Sequence, residues 1–352
     1  MQYCGGLGII VMGIVILVPL KDWESTSELA VAAGKTYRIV PSLNNTVKII
    51  SLMYLILLGV ATAMFYFSGL DLFDAVNHAM SGLSTGGYST RSASLGAYNS
   101  LPVTFVSIPI MIIGGTNFVL VYYLFSGKIK EYLKDIESKV FWIFLISFIS
   151  MAVLWALLGG GREIAFSDII FMITSALTTT GWSTVPDYVV FLQWTPLLLL
   201  LLIVSMLIGA NSSSTGGGLK AYRVGLMIKN IFWMTRDMVI PDSMIKKKRY
   251  KHIRNRFASD ETLQFAMTFV NIYLLILFLS FLVFTIFGYP IMESFYEVTS
   301  AIGTVGLSSG LTEVGLESGL KIILILNMWL GRIEILPMLY FVRYILYGTK
   351  NV

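Results

Sequence analysis

The chain has 352 residues, of which 56% are apolar and 13% are charged, with a net charge of +5 and a mean hydropathy of +0.78. A soluble domain of this length cannot hide that much apolar surface, because its exterior needs polar cover, so an ordinary soluble protein is excluded. The single cysteine, Cys4, excludes an internal disulfide, and the two histidines, His78 and His252, cannot by themselves build a metal site.

Seven hydrophobic stretches predict helices that cross the bilayer, which takes about 20 apolar residues. In chain order they are 5–20, 47–67, 103–125, 140–158, 190–210, 265–287 and 322–346. The first lacks a basic leading region and contains glycines, so we read it as a span and not as a secretory signal. The last is interrupted by Arg332 and Glu334.

Three loops between these spans are rich in basic residues. They contain Lys21, Lys35, Arg38 and Lys48, then Lys128, Lys130, Lys134 and Lys139, and finally Lys246, Lys247, Lys248, Arg249, Lys251, Arg254 and Arg256. By the positive-inside rule these loops are cytoplasmic. The cluster at 246–256 has two interpretations: it sets topology and contacts anionic lipid, or it binds a cytosolic partner.

Two spans separated by a weakly apolar stretch lie between each pair of neighbouring basic loops. Because both ends of such a unit are on one side, the middle stretch must enter the membrane from outside and leave again on the outer side. A short helix followed by a loop meets this requirement, since non-helical backbone at membrane depth is tolerated where it lines a watery cavity.

The weakly apolar stretches repeat one pattern three times. Segment 83–90 (LSTGGYST) aligns with 177–184 (LTTTGWST) and 302–309 (IGTVGLSS), and a serine stands two residues before each block, at Ser81, Ser175 and Ser300. The spans that follow share a glycine, which also occurs near the start of the chain: Gly5, Gly114, Gly209 and Gly331. Units of roughly a hundred residues with equal topology predict parallel repeats around an axis along the membrane normal.

The aligned loops have the composition of an ion filter. Backbone carbonyls can replace the water around a cation without a full counter-charge, and glycine permits the positive-φ conformations that turn successive carbonyls to one side. A single loop of this kind would be read as a tight Ser/Thr/Gly turn, but three aligned copies opposite the basic loops predict a cation pathway. The predicted ion-binding residues are Thr85, Gly86, Gly87, Thr179, Thr180, Gly181, Thr304, Val305 and Gly306.

These loops resemble the filter loops of the Trk/Ktr/HKT superfamily of potassium transporters. Two further segments, 211–220 (NSSSTGGGLK) and 331–334 (GRIE), are closest to its TrkH branch. The resemblance covers the whole chain and implies an all-α polytopic membrane protein, with parallel pseudo-fourfold repeats of span, pore helix, filter loop and span around a central pore. It also implies a homodimer controlled by a cytosolic nucleotide-binding ring subunit.

On this pattern the chain divides into the second span of a truncated repeat 1 (1–20), a cytoplasmic connector (21–45), repeat 2 (46–127), repeat 3 with a broken second span (128–225), a basic cytoplasmic linker (226–260) and repeat 4 (261–352). Compared with the family, the first span, pore helix and filter loop are missing. We therefore expect a natural or engineered fragment, a chain with a misassigned start, or half of a split gene. Because the first loop helps to separate potassium-selective from sodium-permeable members, the choice between these ions stays open here.

The second span of repeat 3 is interrupted by a polar segment. A glycine inside a helix costs about 1 kcal/mol relative to alanine, so three in succession predict a break. The break is either a helix end followed by a flexible cytoplasmic loop, or an intramembrane loop below the filter that opens and closes the pore, which the resemblance favours. The residues of this predicted gate are Asn211, Ser212, Ser213, Ser214, Thr215, Gly216, Gly217 and Gly218.

Arg332 is the second gate candidate. It aligns with Gly6, Gly115 and Ala210 of the other spans, and an arginine at this depth is costly unless it faces water or a partner. It therefore pairs with a carboxylate or caps carbonyls, or else it faces the pore and repels cations.

Two GxSxG matches, at 82–86 and 306–310, do not indicate a hydrolase. A nucleophile elbow needs a strand, a turn and a helix with a distant histidine and carboxylate, whereas the sequence predicts no strand and His78 falls on a pore helix. We predict that the chain is not an enzyme and has no covalently bound cofactor.

The predicted function is potassium uptake across the plasma membrane through a gated channel-like pore, with potassium as the substrate. The alternatives are a sodium or mixed-cation channel of the same fold, and a proton- or sodium-coupled secondary transporter, for which Arg332 and Glu334 are the only intramembrane charged pair. A scaffold without transport would not need three matched loops. Membrane lipid, a second copy of the chain and the ring subunit are the predicted partners, and nucleic acid is not.

Overall fold

The computed structural model describes residues 2–6, 43–160, 164–186, 190, 194–240 and 248–333. Most of this part of the chain is helical, as lipid requires of segments that must satisfy their own backbone polar groups. Residues 2–6 are helical. The first group of elements comprises α1 (Leu43–Phe67), α2 (Leu72–Leu83), a 3₁₀ helix (Ser94–Tyr98), α3 (Leu101–Gly115) and α4 (Phe118–Phe125).

The later elements repeat this order, with additional elements before the long helix of each group. The second group comprises α5 (Ile129–Lys134), α6 (Ile136–Trp155), a π-helical turn (Ala156–Gly160), α7 (Phe166–Leu177) and α8 (Pro196–Ile208). The third comprises α9 (Ala221–Val239), β1 (Arg249–His252), β2 (Arg254–Phe257), α10 (Asp260–Ile286), α11 (Ile291–Ile302) and α12 (Ser318–Ile333).

Three helices of the described residues are by themselves long and apolar enough to cross a membrane: Asn45–Phe67, Ile136–Leu158 and Asp260–Ile286. They correspond to the predicted spans 47–67, 140–158 and 265–287. Side chains such as Leu52, Ile143 and Phe278 are exposed on them, which is the apolar outer surface that lipid contact requires. Of the other predicted spans, 5–20 is described only at residues 5–6, and 322–346 only to residue 333.

The predicted span 103–125 is interrupted. α3 ends at Gly115, and α4 is bent from it by 116°. Thr116 has an extended backbone, and Asn117 caps α4 by accepting a hydrogen bond from the Val119 N–H at 3.0 Å. The predicted span 103–125 is therefore two helices, because Gly-Gly-Thr-Asn joins poor helix formers to a good N-cap, which favours ending one helix and starting another.

The three units share one order of long helix, short helix, loop and helix: α1–α2–α3, α6–α7–α8 and α10–α11–α12. Each short helix, hereafter a pore helix, packs against both neighbours in its unit. Between units, α3 packs against α7 and α8 packs against α11. Each of these helices after a loop thus contacts the pore helix of the next unit, as expected of parallel repeats that follow one another around an axis.

β1 and β2 form an antiparallel hairpin at 249–257, although the sequence predicted no strand. Tyr250 and His252 on β1 are buried, and the Tyr250 hydroxyl lies 2.9 Å from that of Tyr222 on α9. The expectation was wrong because basic residues dominate this segment, and Tyr250, Ile253 and Phe257 do not form the apolar alternation of a half-buried strand. Contacts with distant helices stabilise the hairpin instead.

Candidate ion pathway

The three predicted filter loops have the same backbone conformation. Each places two residues, two positions apart, in the left-handed region: Thr85 and Gly87 (φ 46° and 68°), Thr179 and Gly181 (55° and 83°), and Thr304 and Gly306 (51° and 96°). A threonine at positive φ is uncommon and strained. Its occurrence at one position in all three loops indicates a shared requirement, and alternating conformations of this kind let successive carbonyls face one side. We call 85–87, 179–181 and 304–306 the filter triplets.

The same backbone hydrogen bond fastens each filter triplet to its pore helix. The middle residue donates to the carbonyl of the aligned serine, in the pairs Gly86–Ser81 (2.8 Å), Thr180–Ser175 (3.0 Å) and Val305–Ser300 (2.9 Å). The serine that the sequence alignment detected before each block thus marks the point where every loop is held to its helix.

Neighbouring filter triplets touch at the glycine. Gly87 faces the Thr180 carbonyl so closely that a side chain there would collide with it, and Gly181 faces the Val305 carbonyl in the same way. The indole of Trp182 is fully buried and donates to the Tyr88 carbonyl at 3.1 Å. The three loops therefore lie side by side in chain order.

One pore-helix position supports the loops with different chemistry in each unit. His78 Nε2 lies 2.9 Å from Ser89 Oγ, and Met172 occupies the equivalent position in the next unit. Glu297, only 5% exposed, accepts hydrogen bonds from the Ser309 N–H at 2.7 Å and from the hydroxyls of Ser308, Ser309 and Thr312 at 3.1, 2.8 and 2.9 Å. This position was not among the predicted site residues, although its equal spacing from the three filter glycines was a usable signal.

The polar segment 211–218 contacts all three filter loops. It is non-helical, because α8 ends before Gly209, whose φ is 70°, and α9 begins only at Ala221. Thr215 Oγ1 lies 2.9 Å from Thr85 Oγ1, and the Gly217 N–H donates to Thr179 Oγ1 at 2.7 Å. A side chain on Gly217 would collide with Thr304 Oγ1 and with the carbonyl of the preceding residue. The polar segment thus meets the first threonine of every filter triplet.

Two cationic side chains bind carbonyls of the polar segment. The Arg332 guanidinium donates to the Thr215 carbonyl, and the buried Lys220 ammonium donates to the Gly216 carbonyl. Of the roles considered for Arg332, carbonyl capping is therefore present, and it brings the charge next to a residue that contacts Thr85. Lys220 belongs to the quoted signature, but the sequence analysis did not place it in the gate.

Several buried polar atoms here have no hydrogen-bond partner among the described residues. They are the side-chain oxygen and nitrogen of Asn211, Oγ of Ser213 and Oγ1 of Thr304. An unsatisfied buried polar group costs about 1–3 kcal/mol. Two of these residues lie in the polar segment and one in a filter triplet. Water in a passage between them would satisfy these groups and remove that cost.

The far side of the polar segment is held by residues that the sequence analysis did not single out. Glu137, fully buried, accepts hydrogen bonds from the Ser212 N–H at 2.8 Å and from Asn117 Nδ2 at 3.0 Å. The Asn211 N–H donates to the Gly115 carbonyl at 3.0 Å. The break between α3 and α4 therefore forms one hydrogen-bonded block with the polar segment.

The remaining predicted residues lie at the edge of the described chain or beyond it. Glu334, Lys246 and Lys247 are outside the described residues, and only the backbone of Arg254 and Arg256 is described. Lys248 pairs with Asp260 at 2.7 Å, and Lys251 pairs with Glu131, whose pKa it lowers by donating a hydrogen bond.

Comparison with known proteins gives matches over nearly the whole chain. A family model described as TrkH, cation transport protein, matches residues 1–351. An uncharacterized cation transporter of Methanocaldococcus jannaschii is 29% identical over 339 residues, covering 96% of this chain and 67% of the relative. The Trk system potassium uptake protein TrkH of Escherichia coli K12 is 29% identical over 348 residues, covering 96% and 70%.

A solved structure matches as well. The crystal structure of the potassium transporter TrkH from Vibrio parahaemolyticus has a TM-score of 0.81 and 25% identity, covering 98% of this chain and 71% of that one. This match confirms the predicted all-α membrane fold class. The relatives are transport proteins, in agreement with the prediction that the chain is not an enzyme.

Proposed function

The chain belongs to the TrkH family of cation transport proteins, and we propose that it carries potassium ions into the cell through a gated, channel-like pore in the plasma membrane. Potassium is the proposed ion because the relatives from Escherichia coli and Vibrio parahaemolyticus are named as potassium transport proteins. In this proposal the ions are held by carbonyl and hydroxyl oxygens of the three filter triplets.

The observation that carries the proposal is the repeated pair of positive-φ residues in three loops that touch one another. A turn that merely connects two helices has no reason to repeat a strained threonine three times. A filter has such a reason, because equal loops around one axis supply a ring of equivalent oxygens.

The polar segment supports a gate in the same pore. It contacts the first threonine of every filter triplet and carries the charges of Arg332 and Lys220 against its carbonyls. In this position it obstructs a cation both sterically and electrostatically. Its hydrogen bonds to the filter threonines are neutral and contribute only about 0.5–1.5 kcal/mol each, so a regulatory partner that binds the displaced state more tightly can move the segment away from the filter triplets.

We propose that this partner is a cytosolic nucleotide-binding ring subunit, and that two copies of the chain form a homodimer with the basic loops in the cytoplasm. The name of the relatives refers to a Trk system, which implies several components. On this chain the exposed Arg249 of the hairpin offers a positive charge to an acidic partner.

Replacing Gly181 by alanine tests the pore directly. Gly181→Ala drives a methyl group into the Val305 carbonyl, so we expect rubidium uptake to fall at least tenfold in cells that lack other potassium uptake systems. Gly310→Ala is the matched control, because Gly310 has nearly the same φ (86° against 83°) but has nothing within 4 Å of the added carbon.

The control separates backbone strain from the collision at the filter. If both variants reach the membrane and transport rubidium equally, the filter triplets are not the ion pathway. If the unmodified chain transports sodium as fast as rubidium, the sodium or mixed-cation channel replaces the potassium assignment.

A further inference from the structure

We propose that Asp135, Glu137 and His252 form a binding site for a divalent transition-metal cation that joins the hairpin to the polar segment. One donor atom from each side chain lies within 4.8 Å of the others, and all three residues are 0% exposed. Asp135 caps α6, Glu137 lies in its first turn, and His252 ends β1. Carboxylate oxygens and an imidazole nitrogen are the donor set that Zn²⁺ and similar cations accept. The sequence analysis dismissed a site built on histidines alone, and the fold supplies the two carboxylates.

The charges of the cluster favour a cation. Two fully buried carboxylates are costly unless their charge is compensated, and His252 supplies at most one positive charge. His252 Nδ1 lies 3.2 Å from Asp135 and forms an ion pair with it when the imidazole is protonated. No lysine or arginine among the described side chains pairs with Asp135 or Glu137, so the second carboxylate has no cationic partner there. A divalent cation with a neutral imidazole balances both carboxylates.

The spacing of His252 and Asp135 fits a shared cation. His252 Nδ1 lies 3.3 and 3.2 Å from the two carboxylate oxygens of Asp135, whereas a direct charge-assisted hydrogen bond is usually about 2.7–2.9 Å long. Two ligand atoms that each lie about 2.1 Å from one metal ion are roughly 3.0–3.4 Å from each other in octahedral or tetrahedral geometry. The observed separation falls in that range.

The carboxylates are also oriented as metal ligands are. Apart from the contacts of Asp135 with His252 Nδ1, which a shared cation would replace, each oxygen accepts one hydrogen bond. Those of Asp135 accept from the Glu137 and Ile253 N–H groups at 2.8 and 2.6 Å, and those of Glu137 accept from the Ser212 N–H and Asn117 Nδ2 at 2.8 and 3.0 Å. One lone pair on each oxygen remains for a cation, and such outer hydrogen bonds fix the ligands of known metal sites.

The outer hydrogen bonds come from two different parts of the chain, which the site therefore connects. Ile253 belongs to the hairpin and Ser212 to the polar segment, so an ion bound here fixes the two to each other. Any effect on gating rests on the proposed function, whereas the site itself does not.

The test is zinc binding by the purified full-length chain, prepared with a histidine-free affinity tag and stripped with a chelator. We expect one Zn²⁺ per chain by equilibrium dialysis and a rise in Tm when Zn²⁺ is added, because the ion binds only the folded state. His252→Ala and Glu137→Gln should each raise the Kd for Zn²⁺ at least about 100-fold. Glu131→Gln, a nearby carboxylate that contacts the hairpin through Lys251 but lies outside the cluster, should keep the original Kd.

X-ray absorption at the zinc edge identifies the ligand atoms in the unmodified protein, so this measurement does not depend on whether a variant folds. The expected shell contains only nitrogen and oxygen at about 2.0–2.2 Å, with one imidazole and no sulfur. Absence of stoichiometric zinc, a shell without imidazole, or an unchanged Kd in folded His252→Ala and Glu137→Gln overturns the proposal. Because these measurements are made in detergent without transport, their failure leaves the proposed function untouched, and loss of transport leaves the site untouched.

Discussion

Glu297 stands on α11 where the other two pore helices carry His78 and Met172, so one repeated fold holds its three loops with unequal chemistry. The carboxylate is almost fully buried and gathers hydrogen bonds from Ser308, Ser309 and Thr312. A buried charge that is this well hydrogen-bonded orders the groups around it. We infer that Glu297 sets the position of the third loop more firmly than His78 sets that of the first.

Glu297→Gln should loosen the third loop, although the side chain keeps nearly the same volume. The amide nitrogen that replaces one oxygen is a donor and would face the Ser309 N–H or a hydroxyl, and hydrogen bonds to a charged group contribute about 1.5–3 kcal/mol each. We expect a lower Tm and a roughly tenfold loss of discrimination between rubidium and sodium in uptake assays.

Glu313→Gln removes the same charge from an exposed position in the loop before α12, and a surface change of this kind is usually within about 0.5 kcal/mol. Equal selectivity and Tm in the two variants would show that Glu297 has no role in the filter.

At the scale of elements, the polar segment exists because α8 is short and its helix is not continued. α8 has only 13 residues, because Pro196 begins it and Gly209 ends it in a conformation that other residues adopt with strain. The backbone groups released by the break are bound by Glu137, Arg332 and Lys220, as non-helical backbone at this depth requires. The segment is thus ordered, yet neutral hydrogen bonds are most of what joins it to the filter triplets.

Arg332→Ala and deletion of 213–216 should both open the proposed gate. At an effective dielectric near 20, a positive charge about 6 Å away repels a potassium ion by roughly 3 kcal/mol, and the deletion removes the residue that Arg332 binds. We expect each change to raise rubidium uptake measured without the regulatory subunit, and the two effects to be less than additive because they act on one constriction.

Arg236→Ala is the control, since this arginine pairs with Asp237 on α9 and does not contact the polar segment. Unchanged uptake in both gate variants, with normal membrane levels, would place the gate elsewhere. Lower uptake in both would mean that these residues hold the pore together.

For the whole molecule, a short chain of contacts joins the hairpin to the polar segment. It is joined to the helices by Tyr250–Tyr222, Lys251–Glu131 and Ile253–Asp135 contacts. Asp135 also receives the Glu137 N–H, and Glu137 holds Ser212 of the polar segment. A partner that moves the hairpin therefore acts on the polar segment through a short chain of hydrogen bonds.

Neutralising Lys246, Lys247, Lys248 and Arg249 to glutamine should weaken co-purification of the proposed ring subunit. The attraction between exposed charges is screened by salt, so we expect the loss to be largest at low ionic strength. The substitutions spare Lys251 and the buried residues of β1, so the hairpin should keep its packing.

The same change at Lys128, Lys130, Lys134 and Lys139 removes an equal charge from another predicted cytoplasmic loop and should have a smaller effect. If binding at low salt is unchanged by the 246–249 substitutions, the cluster serves topology and lipid contact only.

The sequence by itself determined the features that are local or repeated. The apolar stretches around α1, α6 and α10 predicted spans because lipid demands about 20 apolar residues wherever a helix crosses. The Thr-x-Gly pattern predicted three equal loops, and the serine two residues before each block belonged to the same repeat, because a repeated structure needs the same residue types at the same spacing. The break at 211–218 was visible because three glycines cannot sustain a helix.

Only the tertiary structure decided which distant residues meet. The contact of Thr215 with Thr85 and that of Ser212 with Glu137 join residues far apart in sequence, and no local pattern encodes such pairs. The local sequence favours the break between α3 and α4, but its backbone groups are satisfied by the polar segment, and the hairpin at 249–257 is likewise held by Asp135 of another element. The three equal loops were therefore readable from composition and repetition, whereas the linkage between hairpin, Glu137 and polar segment exists only because the fold brings these distant segments into contact.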